Sequence, residues 1–318
     1  MSITPESSPS QFPLLRKAVG KRPLCIIIAG PTASGKTDIA IRVAKHFQTE
    51  IISADSRQCY RELNIGVAKP SPAQLLEVPH HFINSHSIND DLSAADFEEY
   101  ALAGTEKIFK KSDVAVMCGG TGLYIKAFCE GLDPIPKIDP VIKSRLTEQY
   151  RQQGLGWLQS ELQKADPLFW EKGENQNPHR MLRALEVMQG TGISLISLQQ
   201  NQKKLRNFEI VKIALEIPRE TLYERINHRV DLMRQDGLKE EAQNLIPYKA
   251  LNALQTVGYR ELFDFFEGKI SEERAFELIK QNTRHYAKRQ VTWFKKEGFE
   301  WVDANGVASV IARRFTAH

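Results

Sequence analysis

Eight consecutive residues near the start of the chain have the types and spacing of a phosphate-binding loop. The segment GPTASGKT matches the pattern G-x-x-x-x-G-K-[ST] at every position. In this pattern backbone N–H groups surround an anion, and the N-terminus of the following helix adds partial positive charge. Lys36 is expected to reach the outer phosphate and the Thr37 hydroxyl to bind Mg²⁺. The predicted binding residues for a di- or triphosphate are Gly30, Pro31, Thr32, Ala33, Ser34, Gly35, Lys36 and Thr37.

An acidic residue follows one predicted strand, but not the strand on which a nucleotide hydrolase carries it. A hydrolase usually has an Asp at the end of a second apolar strand, where it helps to hold Mg²⁺. Here the strand at 114–117 runs into Cys118-Gly119-Gly120, whereas Asp55 follows the strand at 50–54. Strand ends of this kind face the ligand crevice. Asp55 therefore either accepts a proton from a nucleophile or caps a turn. Thr121 either contacts the nucleophile or forms a local hydrogen bond with its hydroxyl.

A basic segment near the C-terminus is the second concentration of charged groups. Residues 280–296, KQNTRHYAKRQVTWFKK, contain six Lys or Arg, one His and no acid. Lys280, Arg284 and Lys288 recur every four residues and share one face of a predicted helix. That face is either solvated or in contact with a polyanion, and charges of a single sign favour the polyanion. Two further arginine pairs at helical spacing are Arg225 with Arg229, able to clamp an anion, and Arg180 with Arg183.

The elements that must position these residues alternate between strand and helix, which predicts a doubly wound α/β sheet. Apolar runs predict strands at 24–29, 50–54, 114–117 and 208–217, and helical spacing predicts helices at 38–47 and from Ser93. Residues 62–92 are predicted to form a long ordered loop. The predicted organisation is a flexible N-terminal tail (1–22), a first part of the phosphate-binding core (23–132), a helical insertion (133–204), and a second part of the core with the basic C-terminal helix (205–318).

Composition excludes several classes of protein. Of the 318 residues 42% are hydrophobic and 26% charged, which is ordinary for a globular protein and excludes a disordered or collagen-like chain. The net charge of +4 permits a nucleic-acid partner without arguing for one. The four cysteines form no C-x-x-C pair, and His80, His81 and His86 lack metal-ligand spacing. No segment approaches the ~20 apolar residues of a membrane span. A cytoplasmic monomer without a membrane segment is expected.

Eight motifs, in order, resemble the tRNA dimethylallyltransferases (isopentenyl-tRNA transferases) over residues 24–300. They are GPTASGKT, DSRQCYRELNIGVAKP, HHF, GGTGLYIKAF, EGLDPIP, NPHRMLRALEV, TVGYRE and KRQVTWF. The resemblance implies a P-loop NTPase-like core, a parallel sheet flanked by helices, that carries an inserted all-helical domain. The chain has no C-terminal zinc finger of the eukaryotic type, so the bacterial type is expected.

The resemblance also implies a reaction and a set of roles. The dimethylallyl group of dimethylallyl diphosphate passes to N6 of the adenosine immediately 3′ of the tRNA anticodon, and the P-loop holds the diphosphate. Asp55 is the implied general base, Thr121 contacts the adenine, and Lys36 and Arg225 complete the expected catalytic set. The expected contacts with the tRNA anticodon stem-loop are Asp55, Ser56, Arg57, Gln58, Thr121, Lys143, His179, Arg180, Met181, Leu182, Arg183, Gln255, Thr256, Val257, Gly258, Tyr259, Arg260, Arg284 and Lys288.

Three other functions share part of this pattern. A P-loop kinase for a nucleotide or small molecule would turn over ATP without RNA. A prenyltransferase acting on free AMP or ATP would not need the inserted helices. An RNA-binding regulator that senses a nucleotide would keep its RNA affinity when Asp55 is replaced.

Overall fold

The computed structural model describes residues 22–200 and 202–316. Except for Arg22, the predicted N-terminal tail lies outside the described residues. The strands are β1 (Leu24–Ala29), β2 (Ile51–Ala54), β3 (His80–His81), β4 (Val114–Gly119), β5 (Glu209–Leu215) and β6 (Glu300–Val302). The α-helices are α1 (Lys36–His46), α2 (Pro72–Glu77), α3 (Ala94–Phe109), α4 (Gly122–Glu130), α5 (Pro140–Ala165), α6 (Pro167–Lys172), α7 (Pro178–Thr191), α8 (Leu195–Leu198), α9 (Arg219–Gln235), α10 (Leu238–Asn244), α11 (Tyr259–Phe266), α12 (Glu272–Lys296) and α13 (Val307–Thr316).

The strands of the described chain form one parallel sheet in the order β3-β2-β4-β1-β5-β6. β1 is buried along its whole length because helices cover both faces of the sheet. Its residues alternate between two cores: Ile26 packs with apolar residues of α1 and α13, whereas Ile27 packs with residues of α3, α4 and α12. This confirms the predicted α/β fold class, with a parallel sheet flanked by helices. All the strands point their carboxyl ends to one edge.

The described chain divides into two compact units. The first contains the sheet and runs up to Cys129 and again from Leu205. The second, Glu130–Lys204, is helical and has its own core around Leu158, Leu162 and Leu185. Asn177 caps α7, since its side-chain oxygen accepts from the backbone N–H groups of the first turn.

The segment predicted as a loop, 62–92, is the main error in the predicted secondary structure. It contains α2 and β3, and β6 was also missed. α2 has no buried residue and is held by a capping box between Ser71 and Gln74, so it leaves no apolar periodicity in the sequence. β3 has two residues and β6 has three, too few for a strand pattern. In the described residues, no helix has the length and hydropathy that a membrane span requires.

Candidate active site

The phosphate loop connects β1 to α1 at the carboxyl edge of the sheet. Ala33 and Gly35 have φ angles of +66° and +84°, in the left-handed region that allows the loop to turn tightly. α1 then begins at Lys36. The Ser34 hydroxyl is buried and has no hydrogen-bond partner among the described residues. An unpartnered donor beside a helix N-terminus favours an anion as the ligand.

Lys36 supplies the positive charge of this loop. Its ammonium group donates to the carbonyl oxygen of Pro31 at 3.3 Å. Burial lowers the pKa of Lys36 below the ordinary value for lysine, and the nearby carboxylate of Asp55 opposes that change. A bound diphosphate would stabilise the charged form of the same group. The lowered pKa therefore indicates a cation site that needs an anion to balance it.

Diphosphate binding is expected to depend on pH through Lys36. Because its pKa is lowered, the ammonium charge is lost at a lower pH than for an exposed lysine, and the affinity that depends on it falls as pH rises. Above that pKa the loss is about tenfold per pH unit, since the protonated fraction falls by that factor. The measurement is the Kd of inorganic diphosphate between pH 7 and 10 for the wild type and Lys36→Met. The Kd of Lys36→Met divided by the Kd of the wild type should fall towards one at high pH.

Lys45→Met is the matched control, because Lys45 is an exposed lysine of the same helix that pairs with Glu77 at 2.9 Å. Its Kd profile should follow that of the wild type. A wild-type advantage over Lys36→Met that stays constant up to pH 10 would contradict the role given to Lys36.

Arg229 of α9 is the arginine that reaches the phosphate loop. Its guanidinium donates to Oγ1 of Thr32 at 3.3 Å, and the residue is half-buried and lines the cavity described below. Burial lowers the pKa of Arg229, whereas Asp38 raises it. Arg225, which the sequence suggests as a catalytic residue, is exposed and does not belong to the described lining. The two lie four residues apart, a separation of about 6 Å along the helix. Of the predicted pair, Arg229 is the one that lines the cavity.

Asp55 follows β2 and caps a turn, which is one of the two roles predicted for it. Its Oδ1 accepts from the backbone N–H groups of Arg57 at 2.9 Å and Gln58 at 3.3 Å. These bonds fix the orientation of the carboxylate at the carboxyl edge of the sheet. Capping does not compete with a role in proton transfer, because both described bonds end on Oδ1.

Thr121 lies beside this turn because β2 and β4 are neighbours in the sheet. The backbone N–H of Thr121 donates to Ala54 O at 3.1 Å, and its Oγ1 accepts from the N–H of Ser56 at 3.0 Å. The side chain of Tyr286, on α12, lies close to Thr121. Burial and the charge of Asp55 raise the pKa of Tyr286, so its hydroxyl stays protonated at neutral pH. The structure thus brings together Asp55, Thr121 and a phenol that the sequence did not single out.

One cavity of about 1090 Å³ in the first unit joins the phosphate loop, Asp55 and Tyr286. It is lined by the phosphate loop, by residues 55–58, by residues 64–72 and by residues 255–258, and α9 and α12 complete the wall. Lys36, Thr37 and Arg229 thus share the cavity with Asp55. A volume of this size holds a small phosphorylated ligand together with part of a second substrate.

Most of the other expected RNA contacts of the first unit line the cavity, but the side chain of one of them is buried. Ser56, Arg57 and Gln58 line the cavity, as do Gln255, Thr256, Val257, Gly258 and Arg260. Tyr259 is wrong as a side-chain contact, because it is 0% exposed and its hydroxyl donates to Glu241 at 2.6 Å. Its place in the TVGYRE motif instead reflects packing under the cavity wall.

In the second unit the expected RNA contacts lie mainly at the surface of α7. His179 and Arg180 are exposed, as is Lys143 on α5. Leu182 is half-buried, as is Arg183, which pairs with Glu186 at 3.3 Å. Met181 is 0% exposed and packs in the core of this unit, so it is wrong as a side-chain contact.

The basic face predicted on α12 is largely occupied within the protein. Lys280 pairs with Asp231 of α9 at 2.5 Å. Arg284 donates to Oδ1 of Asn227 at 2.6 Å and lies over the ring of Tyr223. Lys288 is exposed. The first two cations pack α12 against α9, so of the three only Lys288 has the exposure expected of a polyanion contact.

Besides Tyr286, sequence reasoning also missed Arg289 and Gln290 of α12 as cavity residues. Arg289 lines the cavity, and Gln290 does so while it is only 5% exposed. Both belong to the KRQVTWF motif, where the charge pattern drew attention to the lysines and arginines. A polar residue at a buried position of an amphipathic helix was the available signal for Gln290.

Comparisons with known proteins show the family to which the chain belongs. The sequence model of the IPP transferase family matches residues 58–297. The chain belongs to the IPP transferase family. It is 51% identical over 272 residues to the tRNA dimethylallyltransferase of Christiangramia forsetii, covering 86% of this chain and 90% of that relative. The phosphate loop precedes the matched segment.

Two solved structures show the same fold. The tRNA isopentenylpyrophosphate transferase of Staphylococcus epidermidis is 34% identical, with a TM-score of 0.65, covering 93% of this chain and 98% of the other. A eukaryotic dimethylallyltransferase described as acting on tRNA is 25% identical, with a TM-score of 0.68, covering 89% and 74% of the two chains. The IPP transferase fold therefore extends over nearly all of this chain.

Proposed function

We propose that the chain transfers the dimethylallyl group of dimethylallyl diphosphate to N6 of the adenosine immediately 3′ of a tRNA anticodon. Family membership supports the reaction, since the similar relatives are named tRNA dimethylallyltransferases. The observation that carries it is a phosphate loop and an unusually placed acid, Asp55, in one cavity. β4 ends at Cys118-Gly119, without the acid of a nucleotide hydrolase.

Asp55 is proposed as the general base. The adenine amino group is a poor nucleophile because its lone pair is delocalised into the ring. As N6 forms its bond to the allylic carbon, that carbon's bond to the diphosphate oxygen breaks, and the N6 proton passes to the Asp55 carboxylate. Thr121 contacts the adenine beside the same turn. A positioned base of this kind contributes ~10²–10⁴-fold to the rate.

Lys36, Arg229 and the backbone of the phosphate loop are proposed to bind the diphosphate. The departing diphosphate gains negative charge as the carbon–oxygen bond breaks. Preorganised donors aimed at that charge lower the barrier without having to reorganise during the reaction. The buried hydroxyl of Ser34 adds one more donor to the same loop.

Mg²⁺ is a proposed cofactor that the residues present fit. In the described residues, no group of three or more His, Cys, Asp or Glu side chains is placed to hold a metal ion. Mg²⁺ does not need one, because it takes substrate phosphate oxygens, waters and one or two protein oxygens. Thr37 Oγ1 would hold the ion at the phosphate loop, where it neutralises charge on the diphosphate.

The exposed groups of each unit are proposed to bind the tRNA. In the first unit these are Gln255, Arg260 and Lys288, together with the half-buried cavity residues Arg57 and Gln58, and in the second Lys143, His179 and Arg180. The target base stacks within the anticodon loop and must flip into the cavity, at a cost of about a few kcal/mol. The described residues contain no disulfide bond, which supports action in the reducing cytoplasm.

The test is incubation of the protein with labelled dimethylallyl diphosphate, Mg²⁺ and unmodified tRNA that carries adenosine 3′ of the anticodon. Label is expected in the RNA, and a tRNA with guanosine at that position is the control that should stay unlabelled. ATP hydrolysis without RNA would support a kinase instead. Label in free AMP would support a prenyltransferase for free nucleotides, and tRNA binding without transfer would support an RNA-binding regulator.

A further inference from the structure

The side chain of Gln290 links two loops that lie far apart in the sequence. Its Oε1 accepts from the backbone N–H of Thr32 at 2.8 Å, and its Nε2 donates to the carbonyl oxygen of Gly120 at 2.9 Å. The orientation of the amide is fixed by its partners, because a backbone N–H only donates and a carbonyl only accepts. Gln290 is 5% exposed, so both bonds are shielded from water.

The link also depends on the absence of a side chain at Gly120. A Cβ atom added at Gly120 would lie 2.2 Å from Nε2 of Gln290, closer than any real contact. A residue with a side chain at 120 would therefore displace the amide. Because residue 120 is a glycine, Nε2 of Gln290 can approach the carbonyl oxygen of Gly120 to hydrogen-bond distance.

Each linked loop carries one half of the proposed reaction. Thr32 belongs to the phosphate loop, and its hydroxyl accepts from Arg229. Gly120 precedes Thr121, whose Oγ1 accepts from the N–H of Ser56 in the turn that Asp55 caps. One side of the amide therefore holds the diphosphate loop, and the other holds the loop beside the proposed base.

We propose that Gln290 is a positioning residue that fixes the spacing between the diphosphate loop and the edge that holds Asp55 and Thr121. The inference rests on the proposed function. Transfer requires the allylic carbon and N6 to approach to about 3–3.5 Å in line, and a displacement of about 1 Å can cost ~10²-fold in rate. Each substrate still meets its own loop when the link is lost. The expected loss is therefore in the chemical step rather than in binding.

Gln290→Met removes both hydrogen bonds with little change in side-chain length and without adding charge. Its kcat for transfer to tRNA should fall about tenfold, within the range seen for misplaced reacting groups. The Kd for inorganic diphosphate and the Kd for tRNA should each stay within about threefold of wild type. Gln281→Met is the matched control, because Gln281 is an exposed glutamine of the same helix, and its kcat should not change.

Gln290→Glu supplies a readout that a merely structural role would not move. An ionised carboxylate accepts from Thr32 but cannot donate to Gly120, whereas a protonated carboxyl can do both. Burial and the charge of Asp55 raise the pKa of such a group, whereas Lys36, Arg229 and Arg289, which line the same cavity, oppose that change. The kcat of Gln290→Glu, relative to wild type, should therefore rise as pH falls through that pKa, whereas Gln290→Met should show no such recovery.

The outcomes separate the inference from the function on which it rests. Wild-type kcat in Gln290→Met, or a loss that appears only in the two Kd values, overturns the positioning role. If Gln290→Met does not fold, Gly120→Ala tests the same link from the other loop, and a kcat equal to wild type in that variant overturns the inference. Absence of label in tRNA with the wild-type protein overturns the proposed function itself, and the inference with it.

Discussion

Asp55→Asn is expected to lower the rate of transfer by ~10²–10⁴-fold, the usual contribution of a positioned general base. The variant separates the two roles of this side chain. An asparagine keeps Oδ1, so it can still accept from the N–H groups of Arg57 and Gln58 that cap the turn. What it loses is the negative charge and the ability to take a proton from N6. A fall in rate with an intact turn therefore belongs to the chemistry.

The measurement is single-turnover transfer of labelled dimethylallyl to tRNA, together with the Kd for tRNA. Asp55→Asn should bind tRNA within about threefold of wild type, since the turn next to Ser56 and Thr121 is retained. Asp55→Ala removes the cap as well and should also weaken tRNA binding. Asp90→Asn is the control, because Asp90 caps a different exposed turn through its bond from the N–H of Ser87.

A transfer rate in Asp55→Asn equal to wild type would leave the aspartate with its capping role alone. Equal losses of rate and of tRNA affinity would also argue for a structural role. Only a loss concentrated in the chemical step supports Asp55 as the base.

The parts of the site that could be predicted from the sequence are those encoded locally. β1, the phosphate loop and α1 are contiguous, so an apolar run, a glycine pattern and helical spacing were enough to place Lys36. The position of Asp55 also follows from a local rule, because it comes directly after a buried strand. The same rule predicts that Thr121 lies beside this turn, as it does in the structure, because both residues follow strands of one parallel sheet.

The parts that could not be predicted depend on contacts between distant segments. Gln290 contacts Thr32, which lies 258 positions earlier in the sequence, and Gly120, which lies 170 positions earlier. No rule of sequence spacing covers such separations. The same limit explains the charge pattern of α12. Lys280 and Arg284 resemble an exposed basic face in the sequence, but their partners Asp231 and Asn227 lie on α9. A count of charges along one helix cannot include the helix that packs against it.

Substitutions of Arg229 and Arg225 give the second large expected effect on the rate. The two arginines lie four residues apart on α9, but Arg229 lines the cavity and Arg225 is exposed. Arg229→Gln removes a guanidinium bonded to the phosphate loop through Thr32. Loss of one such donor to the developing charge costs ~10²–10³-fold in rate. Arg225→Gln makes the same substitution at an exposed position and should change kcat/KM by less than about threefold.

The interpretation of this pair depends on where the loss appears. Because the negative charge on the diphosphate grows as the carbon–oxygen bond breaks, Arg229→Gln should lower kcat more than it raises the KM for dimethylallyl diphosphate. Arg229→Lys keeps the charge but not the planar fork of donors, so it should recover only part of the rate. The opposite ranking, with Arg225→Gln the more damaging variant, would restore the assignment made from the sequence. It would require the exposed side of α9 to contact the substrate.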